Sequence, residues 1–269
     1  MLRWIPALVL VLLACAPAQA SEPAALARAR TLYNDGNYDG AIEAANEALK
    51  LSTAADAASL VLARAQLERY RQRGDSGDLS AAREVLHHVR QQALAPRDRV
   101  DLLIGLGQLL FFGEAFGAAA ELFDNALAQS GAPPSRARTL LLDWWASALD
   151  REAQSRAVEK RLPVFERMVE RMESELRIDP GNAPASYWLA VGARGTGDLD
   201  RAWDSAIAGW VRASLSPETT SSLRADLDRL VTQALAAERA RQRPIAGRDV
   251  PDTATALLGE WDLIKTQWP

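Results

Sequence analysis

The chain has 269 residues, 48% of them hydrophobic and 25% charged, a balance that excludes wholesale disorder and a many-span membrane protein. Its formal charge is −4, so it lacks the basic field that nucleic-acid binding needs. One Cys and two His exclude a disulfide framework and a Cys/His metal cluster. Ala, Leu, Arg and Glu are abundant and β-branched runs are few, which favours helix throughout.

Residues 1–20 look like an address segment. Arg3 supplies a positive start, and Ile5 to Ala14 is an apolar run too short to span a bilayer. Ala18-Gln19-Ala20 is a small-x-small cleavage site before Ser21, as in a secretory signal peptide. A second reading stays open, because Leu12-Leu13-Ala14-Cys15 resembles a bacterial lipobox with Cys15 as a lipid anchor. Leu13 is not the small or β-branched residue usual there. Cleavage after Ala20 removes Arg3 and the only Cys and takes the formal charge to −5. A chain without Cys suits an oxidising compartment. The expected location is the periplasm, with or without a membrane tether.

Beyond the leader, helices are expected at Ala24–Asn34, Asp39–Leu51, Ala54–Arg71, Ser80–Gln92, Arg97–Phe112 and Gly117–Ser130. They continue at Ser135–Ala153, Ala157–Ile178, Ala183–Arg194, Asp200–Ser214, Pro217–Gln242 and Thr253–Gln267. Ala95-Pro96, Ala132-Pro133-Pro134 and Asp179-Pro180 break the chain between them. Ser216-Pro217-Glu218 is an N-cap followed by Pro at the first helical position. Arg239 to Asp252 forms a polar connector. The last helix carries Leu257, Leu258, Trp261, Leu263, Ile264 and Trp268. Its apolar face must bury against something, either the end of the stack or a partner.

A short pattern recurs: a turn, then an aromatic residue or Leu, then Ala three residues on. It appears as Gly36-Asn37-Tyr38 with Ala41, Gly77-Asp78-Leu79 with Ala82, Glu114-Ala115-Phe116 with Ala119, and Gly197-Asp198-Leu199 with Ala202. In the best unit Leu103, Gly107, Leu110, Phe116, Ala119, Phe123 and Ala126 stand in register. On these residues the chain resembles the tetratricopeptide repeat (TPR) family. The register at Arg69 to Ser76 departs from the family's, as if the turn there were lengthened. The resemblance implies an all-α, right-handed superhelical solenoid of about six helical hairpins over 21–215, with 216–269 as a C-terminal helical cap.

In TPR proteins the first helix of each hairpin lines a concave groove. The resemblance therefore places Arg30, Tyr33, Asn34, Ile104, Gln108, Phe111, Phe112, Tyr187, Val191 and Arg194 on it. It implies a protein or peptide partner, and a scaffold or adaptor role in envelope assembly, secretion or transport. A small apolar ligand of a transport system is the alternative. The Trp pair 144–145 and Trp188, Trp203 and Trp210 either fill gaps between helices or flank a ligand cavity.

No residue set points to catalysis, and no cofactor is expected. Gly74-Asp75-Ser76-Gly77-Asp78 resembles the nucleophile segment of trypsin-like proteases, but its flanks are helical and no His precedes it. His87 and His88 are adjacent on a predicted helix and point about 100° apart. Gly192 to Gly197 follows a helix, not a strand, which excludes a dinucleotide or phosphate loop. Met168 and Met172 fall on a core stripe.

Overall fold

The computed structural model describes residues 22–129, 136–215 and 221–269. The leader with Cys15, the Ala132-Pro133-Pro134 break and the Ser216-Pro217-Glu218 cap lie outside them. The described residues are helical and contain no strand. Six helices build the first part: α1 (Ala24–Asn34), α2 (Tyr38–Ala48), α3 (Ala55–Arg73), α4 (Ser76–His87), α5 (Pro96–Phe112) and α6 (Phe116–Gln129). Four more follow: α7 (Arg136–Ser155), α8 (Leu162–Ile178), α9 (Ala183–Thr196) and α10 (Leu199–Leu215). Then α11 (Ser221–Leu230) runs through a π-helical stretch, Val231–Leu235, into α12 (Ala236–Gln242), and α13 (Val250–Gln267) folds back on it.

Helices pack in consecutive pairs, and each pair leans on the next. Every helix from α1 to α10 touches its successor, while α1 also touches α3, α3 touches α5, α5 touches α7, and α7 touches α9. The turns inside the pairs share one solution. Gly36, Gly74 and Gly197 adopt φ of 75°, 71° and 85°, and Glu114 takes the same left-handed place at 62°. The next helix is then capped from the turn: Asn37 accepts from the Gly40 amide, Asp75 from Gly77 and Asp198 from Arg201. The small residues that follow are spent on close contact. Ala41, Ala82, Ala119 and Ala202 are completely buried.

Several elements differ from the expectation; the Arg239 to Asp252 connector, for one, is helical at both ends, in α12 and α13. The α3–α4 turn is not lengthened: α3 runs on to Arg73 and the chain reverses at Gly74. With Asp75 capping, α4 begins at Ser76, so Gly77 sits in its first turn and is not the turn residue. Expected helix Ala157–Ile178 begins only at Leu162, after a 3-10 turn at Val158–Lys160. Pro163 explains the late start, because proline fits a first helical turn and not an interior.

The core is a chain of apolar clusters, not one centre. One joins α1 to α3, the next α3 to α5, a third α5 to α9, and the last α9 and α10 to the C-terminal helices. Most Trp side chains serve as fillers. Trp145, Trp203 and Trp261 are fully buried, and Trp261 packs 6.5 Å from Trp203 and 5.4 Å from Trp210. Met168 and Met172 are buried in the third cluster. Among the described residues no helix is long and apolar enough to cross a membrane.

Candidate functional site

The alternate helices α1, α3, α5 and α7 share one face, and on it lies a cavity of about 1160 Å³. Its wall includes Arg30, Tyr33 and Asn34 from α1, Leu60, Arg64 and Glu68 from α3, and Asp143 and Trp144 from α7. From α5 come Ile104, Gln108, Phe111 and Phe112. Seven residues expected on a groove thus stand around one space. Tyr187, Val191 and Arg194 do not line it. Tyr187 packs edge-on against Trp188 at 5.0 Å, Val191 packs on the third core cluster, and Arg194 forms two bonds of 2.7 and 2.6 Å to Glu238 on α12.

An aromatic wall occupies the C-terminal ends of α3 and α5. Phe112 meets Tyr70 at 4.9 Å, Phe111 meets Phe116 at 5.3 Å, and Trp144 meets Phe111 at 5.2 Å and Phe112 at 5.7 Å, all edge to face. The two Phe rings therefore pack between helices and line the cavity at once. They are half-buried, as is Trp144.

A polar belt crosses α1, α3 and α5, and its charges are mostly closed. Arg30 binds Asp98 at 2.9 Å and Glu22 at 2.7 Å. Arg64 pairs with Asp101 and lies 4.8 Å over the Tyr33 ring. Burial pushes the Tyr33 phenol up to about 12, although Arg64 pulls the other way. Glu68 accepts from Arg71 at 2.8 Å and from the Gln108 amide at 2.7 Å. Gln108 is 1% exposed, and its Oε1 has no hydrogen-bond partner.

Asp143 differs from the other carboxylates. It accepts from the Trp188 indole at 2.8 Å and forms no ion pair among the described residues. Its surroundings disfavour the charged form and raise its pKa; the indole bond and Arg71 oppose this, while Asp226 adds to it. Asp143 remains water-accessible at the cavity wall.

Sequence reasoning missed Arg64, Glu68 and Asp143. Arg64, Glu68 and Arg71 fall at spacings of four and three on α3, a helical-face signal obscured by the misplaced α3–α4 turn. Asp143 had no signal beyond standing next to Trp144. The other motifs stand apart from the cavity wall: Ser76 is an exposed first residue of α4, and His87 and His88 are exposed at its end. Among the described residues no three His, Cys, Asp or Glu side chains gather as metal ligands. No protein-family model matches the chain, and no curated protein matches it.

Proposed function

We propose that the chain is a TPR-like right-handed solenoid that holds a segment of a partner protein in its concave groove. It acts as a scaffold or adaptor, with no cofactor and no catalytic step. The observation that carries this reading is the cavity itself. At about 1160 Å³ it exceeds the roughly 300–1,000 Å³ usual for small-molecule pockets. Its wall also alternates half-buried aromatic rings with polar groups, the mixture that recurs where proteins anchor peptides. The turn-aromatic-Ala repeat and the pairing of consecutive helices support the solenoid. Residues 1–20 support export to the periplasm, where the protein serves envelope assembly, secretion or transport. Cys15 offers a lipid tether if cleavage occurs before it.

Selection of peptides from a random display library against the purified chain tests the reading. Selected peptides are expected to bind in the micromolar range or tighter, and to lose at least tenfold in affinity with Phe111→Ala plus Phe112→Ala. Failure to select any peptide, or equal binding by wild type and variant, would remove it.

A further inference from the structure

Resting on that reading, we propose that the groove selects a segment carrying a basic side chain, Lys or Arg, which docks on Asp143 beside the ring of Trp144. The argument starts from which charges in the cavity are already used. Arg30, Arg64, Arg71 and Arg138 each hold a carboxylate, namely Asp98, Asp101, Glu68 and Glu175, while Arg97 and Arg136 line the wall with no ion pair among the described residues. Asp143 holds only an indole N–H, a neutral donor, from Trp188. A carboxylate has about four acceptor positions, so most of its capacity is unused by the Trp188 bond, and Asp143 lines the cavity. Arg71 faces it from α3 but is bound to Glu68.

Two further carboxylates, Asp150 and Asp226, act on the same neighbour, Tyr187. Burial pushes the phenol of Tyr187, on the next alternate helix, up to about 12, with Asp226, Asp150 and Asp143 adding to it and Arg229 opposing. Among the described residues Asp150 accepts from Gln154, and Asp226 pairs with Arg229, both of them exposed. Arg151 and Arg194 offset Asp150, and Arg229 offsets Asp226, so the uncompensated charge is local to Asp143. Trp144, Phe111 and Phe112 supply the rings against which a cation and its alkyl stem rest. Independently, buried Gln108 on the same wall has an Oε1 acceptor without a hydrogen-bond partner among the described residues.

The test uses one peptide selected on the full chain and binding titrations. Replacing its basic residue by Gln is expected to weaken binding about tenfold, the size of one charge-assisted hydrogen bond. Against Asp143→Asn the same replacement is expected to make no difference, because the charge it reads has gone. Against Asp143→Lys the preference should invert to an acidic side chain. Both substitutions are at a water-accessible position, and circular dichroism checks that the helices persist. Groove-dependent peptides without a basic preference, or an equal loss in Asp143→Asn, would overturn this inference and leave the groove reading standing. Binding of free spermidine with no binding of any peptide would overturn both.

Discussion

The indole N–H of Trp188 donates to a carboxylate oxygen of Asp143 across 2.8 Å, which ties α9 to α7. The bond fixes the position of the carboxylate without neutralising it. A cation in place of the indole would have closed the charge, as Asp101 closes Arg64. The relationship therefore does two things at once. It satisfies an otherwise buried indole donor, and it holds an uncompensated negative charge at the edge of the cavity.

Asp143 gives a pH signature. Its folded-state pKa is raised above the ordinary 3.8, chiefly by the protein packed around the carboxyl; the side chain still meets water, which keeps the linked stability small. Protonation therefore favours the folded chain. The stability linked to this group is present below pH 3.8 and is lost as pH climbs through the higher folded value. Asp143→Asn keeps an acceptor for Trp188 and has no charge to desolvate. It should raise the melting temperature slightly at pH 7, with the gain vanishing at pH 3. Thermal melts across pH 3 to 7 measure this, and a gain that grows toward acid would refute it.

Gly107 on α5 leaves room for the Phe123 ring of α6. A Cβ there would stand 2.5 Å from Cε1 of the fully buried Phe123 ring, nearer than real carbon contacts allow. Gly107→Ala should destabilise by about 1–3 kcal/mol, despite the better helix propensity of Ala. Urea unfolding reads the loss. Adding Phe123→Leu should recover part of it, and a single variant as stable as wild type would show that the helices separate at no cost.

Trp261 closes the C-terminal helices onto α10. It is fully buried between Trp203 and Trp210, and its indole donates to Asp228 at 2.8 Å. Trp261→Ala should cost about 3–5 kcal/mol. Limited proteolysis should then release the region after α10 first, whereas uniform cleavage along the chain would mean that the last helices are not a separate layer.

Arg138 and Glu175 form a buried pair, with bonds of 3.1 and 2.6 Å joining α7 to α8. Their side chains are 12% and 5% exposed. Arg138→Met leaves Glu175 with Arg171 at 4.0 Å as its remaining cation. The cost should be about 3 kcal/mol, the low end for breaking a buried pair. The double variant Arg138→Met, Glu175→Met should lose less than the single one. Urea denaturation of Arg138→Met, Glu175→Met and the double variant decides it, and a double loss equal to the sum of the singles would refute the pairing.

Legibility followed the physics of each feature. The helices from Ala24 and Ala183 were readable because Pro, Gly and periodic Ala punctuate them, and these are local signals. The seven residues brought to the cavity were readable through repeat register alone. Arg194 was placed by the same register, but its face is taken by Glu238, a residue 44 positions away whose approach no local pattern encodes. The α4 start was misread because Gly74 and Gly77 offer equivalent turn signals, and only the Asp75 cap separates them. Asp143 was invisible because its distinction is an absent cation, a property of the assembled face.

Site-specific photo-crosslinking tests the central claim, that a partner segment lies along the α1, α3, α5 and α7 face. A photoreactive residue replaces Ile104 on the cavity wall in one protein and exposed Asn125 on α6 in another. Each is irradiated with a selected peptide, and the adducts are mapped by mass spectrometry. The account predicts peptide adducts at position 104, abolished by Phe111→Ala plus Phe112→Ala, and none at position 125. Adducts at 125 alone, or equal adducts at both positions, would contradict it.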